Sequence, residues 1–204
     1  ITEDMEDIAF LIQRELDRAF IHKVNYLVKK TGIKNLCLTG GVGLNAVTNR
    51  AILDKTEIEN IFVQPSAGDS GQCLGNAYFG VAEFDSSNIK RKSISVYQGK
   101  EYSNEEIESA LNSQIDRIDF KKVALGELVH IASKKLSENK IIAWFQGGSE
   151  TGPRALGNRS ILANPIHKEM KDTINARVKH REHFRPFAPS VLEEKASKWF
   201  DISI

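Results

Sequence analysis

The stretch "TGPRALGNRS", Thr151 to Ser160, places Arg154 and Arg159 five residues apart among two glycines, a proline and an asparagine. A guanidinium is a planar fork that grips phosphate or carboxylate with two parallel hydrogen bonds, so this composition suits an anion clamp. An ordinary solvated turn has the same composition. Its sequel, "NARVKHREHFRPFAPS", adds Lys179, Arg181 and Arg185, and from Glu150 to Val191 there are eight Lys/Arg against four Asp/Glu. Lys179 and Arg181 alternate along what reads as an extended stretch that faces one side. Each proline of "RPFAP" biases the preceding residue to extended geometry, and such stiffness suits a preorganised anion site. A solvated basic face is the alternative. His180 and His183 lie close together, but without a third ligand they read as surface residues rather than a zinc site.

Two further stretches could do chemistry. "LTGGVGLN", Leu38 to Asn45, reads as a strand ending in paired glycines before a helix. There a ligand can approach backbone N–H groups at the positive end of the helix dipole. A plain strand-to-helix turn is the competing reading, and the dinucleotide fingerprint is excluded because its third glycine and distal acidic residue are missing. In "QPSAGDSGQCLGNA", Asp69 sits between Gly68 and Gly71 where a strand hands over to a helix. Its carboxylate is either a helix N-cap or a metal ligand at the carboxyl edge of a sheet.

The elements that must position these residues are legible from periodicity. Ile8, Leu11, Ile12, Leu16, Ala19, Phe20, Val24, Leu27 and Val28 recur at helical spacing, and Gly32 is placed to end that helix. "NLCLTGG" predicts a buried strand, "LNAVTNRAILDK" a helix, "NIFVQP" a strand halted by Pro65, and "GDSGQCLGNAYFGVAEF" a turn opening into a helix. This order implies an α/β layer with a largely parallel sheet. Near residue 85 the character becomes polar and basic, and residues 91–98 read as a linker. Ser103 with Glu106 then forms a capping-box pattern. "IDRIDF" alternates like a strand. "VALGELVHIASKKLSEN" predicts an amphipathic helix, "KIIAWFQGG" and "SILANP" strands, "KEMKDTINARV" a helix and "FAPSVL" a final strand.

Composition bounds the rest. The 204 residues are 41% hydrophobic and 27% charged, with a net charge of +1. That balance gives no support for bulk electrostatic binding to nucleic acid or an anionic membrane. No apolar run approaches the roughly 20 residues of a membrane span, and no signal peptide is visible. Cys37 and Cys73 lack ligand spacing, which fits a reduced, cytoplasmic compartment. The chain opens at Ile1 directly in a helical pattern and reads as a piece of something longer.

"LCLTGGVGLNAVTNRAI", "IFVQPSAGDSGQCLGNA", "WFQGGSETGPRALGNRSILANP" and "INARVKHREHFRPFAPSVL" together resemble the carbamoyltransferases of the nodulation-protein and antibiotic-tailoring type. The four motifs occur in the family's order over nearly the whole chain. The resemblance implies the C-terminal half of an actin/Hsp70-like (Kae1-like) domain over residues 1–90, followed by a YrdC-like α/β domain over residues 99–204. It implies an ATP-dependent O-carbamoyltransferase: the YrdC-like domain forms carbamoyladenylate from carbamoyl phosphate and ATP, and the Kae1-like domain passes the carbamoyl group to a hydroxyl acceptor with the help of a divalent metal, Fe2+ or Mg2+. Carried over by motif, Gly40, Gly41 and Asn45 match the nucleotide turn and Asp69 the metal carboxylate. Lys179, Arg181, Arg185 and Pro186 match the pattern that holds ATP phosphates and the acyl donor. Arg154, Asn158, Arg159 and Ser160 fall in the other signature, with Arg154 assigned beside Lys179 and Arg181 to catalysis. The family's phosphate hairpin and histidine pair are not matched; His22, on an amphipathic helix, has no partner four residues away. Complete transfer by this chain alone is therefore not expected. The resemblance also admits a homodimer.

Two other classes compete. An RNA-modification module is disfavoured by the near-zero charge and by the scarcity of aromatics around Phe184 and Phe187. A nucleotide-binding scaffold without turnover would carry the same turns.

Overall fold

The computed structural model describes residues 2–84 and 95–201. The chain divides into two compact units, Ile1–Gly99 with Ser149–Ala155, and Lys100–Gly148 with Leu156–Ile204. Part of the expected linker, residues 91–94, lies outside the described residues, as does the start of "SISVY".

The first unit begins with helix α1, Glu3–Thr31, which is acidic in its first turn and basic in its last, as the helix dipole favours. Gly32 ends it in the left-handed region (φ 70°), its N–H bonded to the Val28 carbonyl at 2.7 Å. Strand β1 (Asn35–Leu38) pairs in parallel with β2 (Asn60–Val63), in a register that sets Asn35 beside Asn60 and Leu38 beside Val63. Between them runs helix α2, Ala46–Lys55, and after β2 comes α3, Gln72–Phe84. Val24, Val28, Leu38, Ile52 and Ile58 form the core, flanked by Phe20, Leu36, Ile61 and Val63. Only the C-terminal part of α1's apolar stripe joins it, because Ile8 and Ile12 remain 56% and 66% exposed.

A polar network fastens α1 to α2. Gln13 Nε2 donates to Asp17 Oδ1 (2.7 Å) and Thr48 Oγ1 (2.9 Å), and the Thr48 hydroxyl donates to Asp17 Oδ1 (2.7 Å). Thr48 is 1% exposed, so these bonds satisfy a hydroxyl that water cannot reach.

The second unit holds helices α4 (Asn104–Asn112) and α5 (Leu125–Ser137), the antiparallel pair β3 (Ile142–Phe145) and β4 (Arg159–Leu162), and helices α6 (Glu169–Ile174) and α7 (Glu193–Trp199). The capping box at α4 is complete: Glu106 N–H donates to Ser103 Oγ at 3.2 Å and Ser103 N–H to Glu106 Oε2 at 2.8 Å.

Three expectations are corrected. Ile115–Phe120 forms no strand; Arg117 and Ile118 donate their N–H groups to the Gln114 carbonyl and continue α4 as turns. Phe187–Leu192 forms none either, since Pro186 and Pro189 lack the N–H a ladder requires. Lys179 and Arg181 are not on an extended stretch: α6 widens into a π-helical turn, Asn175–Lys179, closed by His180 in the left-handed region at φ 47°. The Arg181 N–H then donates back to the Asn175 carbonyl at 3.0 Å.

Candidate functional site

In the first unit, β1 runs into a glycine turn. Gly40 adopts φ 86°, which an L side chain rarely tolerates, and its N–H donates to the Ala67 carbonyl at 2.7 Å. A short 3₁₀ turn, Gly41–Leu44, follows, and Asn45 caps α2. The Asn45 side chain is engaged there at both ends: Oδ1 accepts from Thr48 N–H (3.1 Å) and Nδ2 donates to Gln13 Oε1 (2.9 Å). It fixes the turn rather than projecting into it. The N–H groups of Gly41 and Val42 precede the turn's first internal bond, the position from which backbone donors bind anions.

The loop after β2 lies against this turn, and a Cβ on Gly68 would come within 3.8 Å of the Gly41 Cα. Asp69 is exposed, opens the 3₁₀ turn Asp69–Gly71, and accepts from Gln72 Nε2 at 3.3 Å. Gly71 packs so closely on the Ser66 carbonyl that no side chain fits between them. Among the described residues, no three His, Cys, Asp or Glu side chains gather into a metal donor set. Asp69 alone does not make a metal centre, and no chemical step here is routed through one.

Arg154 belongs to this unit as well, on the segment Ser149–Ala155. It is exposed, and among the described residues it has neither an ion pair nor a hydrogen bond.

In the second unit, Asn158, Arg159 and Ser160 lie at the start of β4. Asn158 Nδ2 donates to the Gly148 carbonyl (2.7 Å), and Ser160 Oγ accepts from Gly157 N–H (3.0 Å). Arg159 turns its guanidinium inward to the carbonyls of Gln146 (2.5 Å), Gly147 (3.0 Å), Asn158 (3.1 Å) and Lys100 (3.2 Å). Of the two signature arginines, Arg159 braces the loop and Arg154 is the one left open to solvent.

A similar division holds farther on. Asn175, wholly buried, donates to the carbonyls of His183 (3.2 Å) and Arg185 (2.9 Å) and accepts from Arg181 Nε (2.8 Å). Arg181 also donates to the Pro186 carbonyl at 3.3 Å and lies over the Phe187 ring at 4.7 Å. Arg185 pairs with Glu182 at 3.2 Å. Lys179 is exposed and, among the described residues, carries no bond or ion pair. Asn175 is the anchor that sequence reasoning missed; nothing in "INARVK" distinguishes it from a surface asparagine. Ser66 and Gly152 were missed for the same reason, because their neighbours are distant in sequence.

No helix among the described residues is long and apolar enough to cross a membrane. The family description "Carbamoyltransferase N-terminus" matches residues 1–78, and "Carbamoyltransferase C-terminus" matches residues 133–204. The chain is 40% identical to nodulation protein NolO of Bradyrhizobium diazoefficiens, over 98% of its own length and 36% of that protein. It is 39% identical to nodulation protein NolNO of Sinorhizobium fredii, over 98% of its length and 29% of the relative. An uncharacterized protein of Methanocaldococcus jannaschii is 36% identical over 97% of this chain and 33% of its own. The chain thus spans about a third of the length of the curated relatives it matches. With both family regions matched in order and a glycine turn and open cations within them, the chain belongs to the carbamoyltransferase family.

Proposed function

We propose that this chain serves an ATP-dependent O-carbamoyltransferase. Carbamoyl phosphate loses its phosphate to water, and a carbamate oxygen attacks the α-phosphorus of ATP. The bond to the β-phosphate oxygen breaks, giving carbamoyladenylate and pyrophosphate. An acceptor hydroxyl then attacks the carbamoyl carbon, its proton passes to solvent or a base, and AMP leaves. The match to both family regions is the observation that carries this reading.

The first step brings anions together and needs positive charge aimed at phosphate oxygens, with water kept from the intermediate. Arginine and lysine stay protonated near neutral pH, so no perturbed pKa is required. Lys179 is an open cation of the second unit, and we assign it to the phosphates of ATP or the acyl donor. Arg181, with Asn175 and Pro186, shapes the loop beside it. We assign the second unit to the YrdC-like role and the first to the Kae1-like role. A divalent metal, when bound in the longer protein, would polarise the acceptor or the carbonyl.

The test is release of pyrophosphate and AMP that depends on carbamoyl phosphate. Lys179→Gln should lower that rate by at least tenfold without changing the urea midpoint. A wild-type rate in this variant, or no such release by a family member carrying this chain intact, would sink the reading. Binding of both substrates without turnover would favour the scaffold.

A further inference from the structure

Asn175 is 0% exposed, and nearly everything it holds lies in one short segment ahead of it. Its carbonyl accepts from the His180 N–H, which closes the π-helical turn, and from the Arg181 N–H at 3.0 Å. Its side-chain oxygen accepts from Arg181 Nε at 2.8 Å, and Nδ2 donates to the carbonyls of His183 at 3.2 Å and Arg185 at 2.9 Å. Five hydrogen bonds thus join one residue to positions 180–185. Aspartate has the size but no donors, leucine the shape but neither donors nor acceptor, and glutamine sets its amide one methylene farther out. Buried, with both sides of its amide engaged, Asn175 is a fixed point for the chain around it rather than a contact for a substrate.

These bonds decide the register of Lys179. In an α-helix the Asn175 carbonyl would accept the Lys179 N–H, four residues on. Here it accepts from the fifth and sixth residues, so Lys179 leaves the spacing that a continued α6 would give it. His180 then takes the left-handed conformation (φ 47°, ψ 51°), which is uncommon outside glycine. A π-helical turn and a non-glycine residue at positive φ both recur at functional sites, where surrounding bonds hold them. Here the two adjoin at one lysine, which is exposed and, among the described residues, makes no hydrogen bond or ion pair. Arg177, on the same turn, is equally open but does not adjoin the segment that Asn175 holds.

We propose that Asn175 is a positioning residue for the formation of carbamoyladenylate: through the π-helical turn and His180 it presents Lys179 to the phosphate group of the substrate. The identity of that substrate rests on the carbamoyl-transfer reading. A charge held in place before the anion arrives needs no reorganisation during the reaction, which is where a buried spacer far from the reacting atoms affects rate.

The experiment uses the family member carrying this chain intact, with kcat and KM of pyrophosphate release measured for ATP and for carbamoyl phosphate. Asn175→Ala should lower kcat/KM about tenfold for the same substrate that Lys179→Gln affects, and in the same parameter. The double variant should be no slower than Lys179→Gln alone, because the asparagine acts through the lysine. His180→Val, which keeps Asn175 but disfavours the left-handed closure, should reproduce the loss. Arg177→Gln removes an equal charge from the turn and should leave kcat/KM unchanged. Ala196→Gly, at a buried position on α7, should lower the urea midpoint without changing kcat/KM. A second readout needs no turnover: ATP or inorganic phosphate should slow acetylation of the Lys179 amine in the wild type and not in Asn175→Ala. The proposal is overturned by normal kcat/KM in Asn175→Ala, by losses that multiply in the double variant, or by an equal loss in Arg177→Gln or Ala196→Gly. Equal shielding of Lys179 in wild type and Asn175→Ala, or no shielding in either, overturns it as well. The carbamoyl-transfer reading fails separately, by absent pyrophosphate release from the wild type, and the shielding then still decides the positioning role.

Discussion

The Arg159 guanidinium lies 3.6 Å from the centre of the Phe145 ring, and the two residues are register partners across β3 and β4. The contact continues outward. Phe145 meets Tyr102 at 6.0 Å, Lys100 Nζ sits 4.4 Å from the Tyr102 ring, and Lys100 pairs with Glu106 at 3.1 Å. Since the donors of Arg159 also close on four carbonyls, this arginine works as a strut joining the hairpin to the start of α4.

Arg159→Lys should therefore act on stability first. Lysine keeps the charge but cannot reach four acceptors from one plane or cover the ring. The expected loss is about 2 kcal/mol, read as a lower urea midpoint with an unchanged slope. An unaltered midpoint would show that the strut carries no weight.

Asn175→Ala should release the loop that holds Arg181, Arg185 and Pro186. Two carbonyls and one guanidinium lose a buried partner, a cost of about 2–3 kcal/mol. Hydrogen exchange should accelerate over residues 181–187. Exchange confined to α6 would contradict the anchoring role.

The core makes its own prediction. Ile52 is 0% exposed, and Ile52→Ala should destabilise the first unit by about 3 kcal/mol, because the site can collapse only partly. Calorimetric melting that loses less than about 1 kcal/mol would argue that α2 repacks freely.

The cap of α4 is sensitive to acid. The Ser103 backbone N–H, followed by Lys100, holds the Glu106 carboxyl below its ordinary value, and Glu105 is lowered by its own backbone N–H and by Ser103. A carboxylate depressed in the folded state contributes stability that is present above its unfolded pKa and is lost as pH falls through its folded pKa. Protection of the first turn of α4 should consequently fall on acidification below the ordinary carboxylate range. Glu106→Gln should flatten that dependence, and an unchanged pH profile in the variant would refute the assignment.

How much of this was legible in advance depended on how local each signal was. Gly32 ending α1 and the Ser103–Glu106 box are decided within four residues, and both formed as read. The alternation of Ile115–Phe120 was equally local but misleading, because a strand needs a partner and the backbone found Gln114 instead. The cations show the limit most clearly. Lys179 and Arg181 carry the same charge two residues apart, yet one is open and the other is taken by Asn175 and the Pro186 carbonyl. Residue type supplies a charge, whereas its neighbours in space decide whether that charge remains available. Likewise, Arg154 and Arg159 share one motif and fall in different units, because Gly152 meets Pro65, a partner far back in the sequence.

That return of Ser149–Ala155 to the first unit bears on how the protein is made. Synthesis from the N-terminus delivers α1 through α3 before this segment, which emerges only after all of α4, α5 and β3 has been translated. The first unit cannot finish assembling until Ala155 has left the ribosome. A polypeptide cut after α3 should fold with its 65–68 loop unbuttressed, and the two parts of this chain should complement poorly when expressed as separate pieces divided near residue 90.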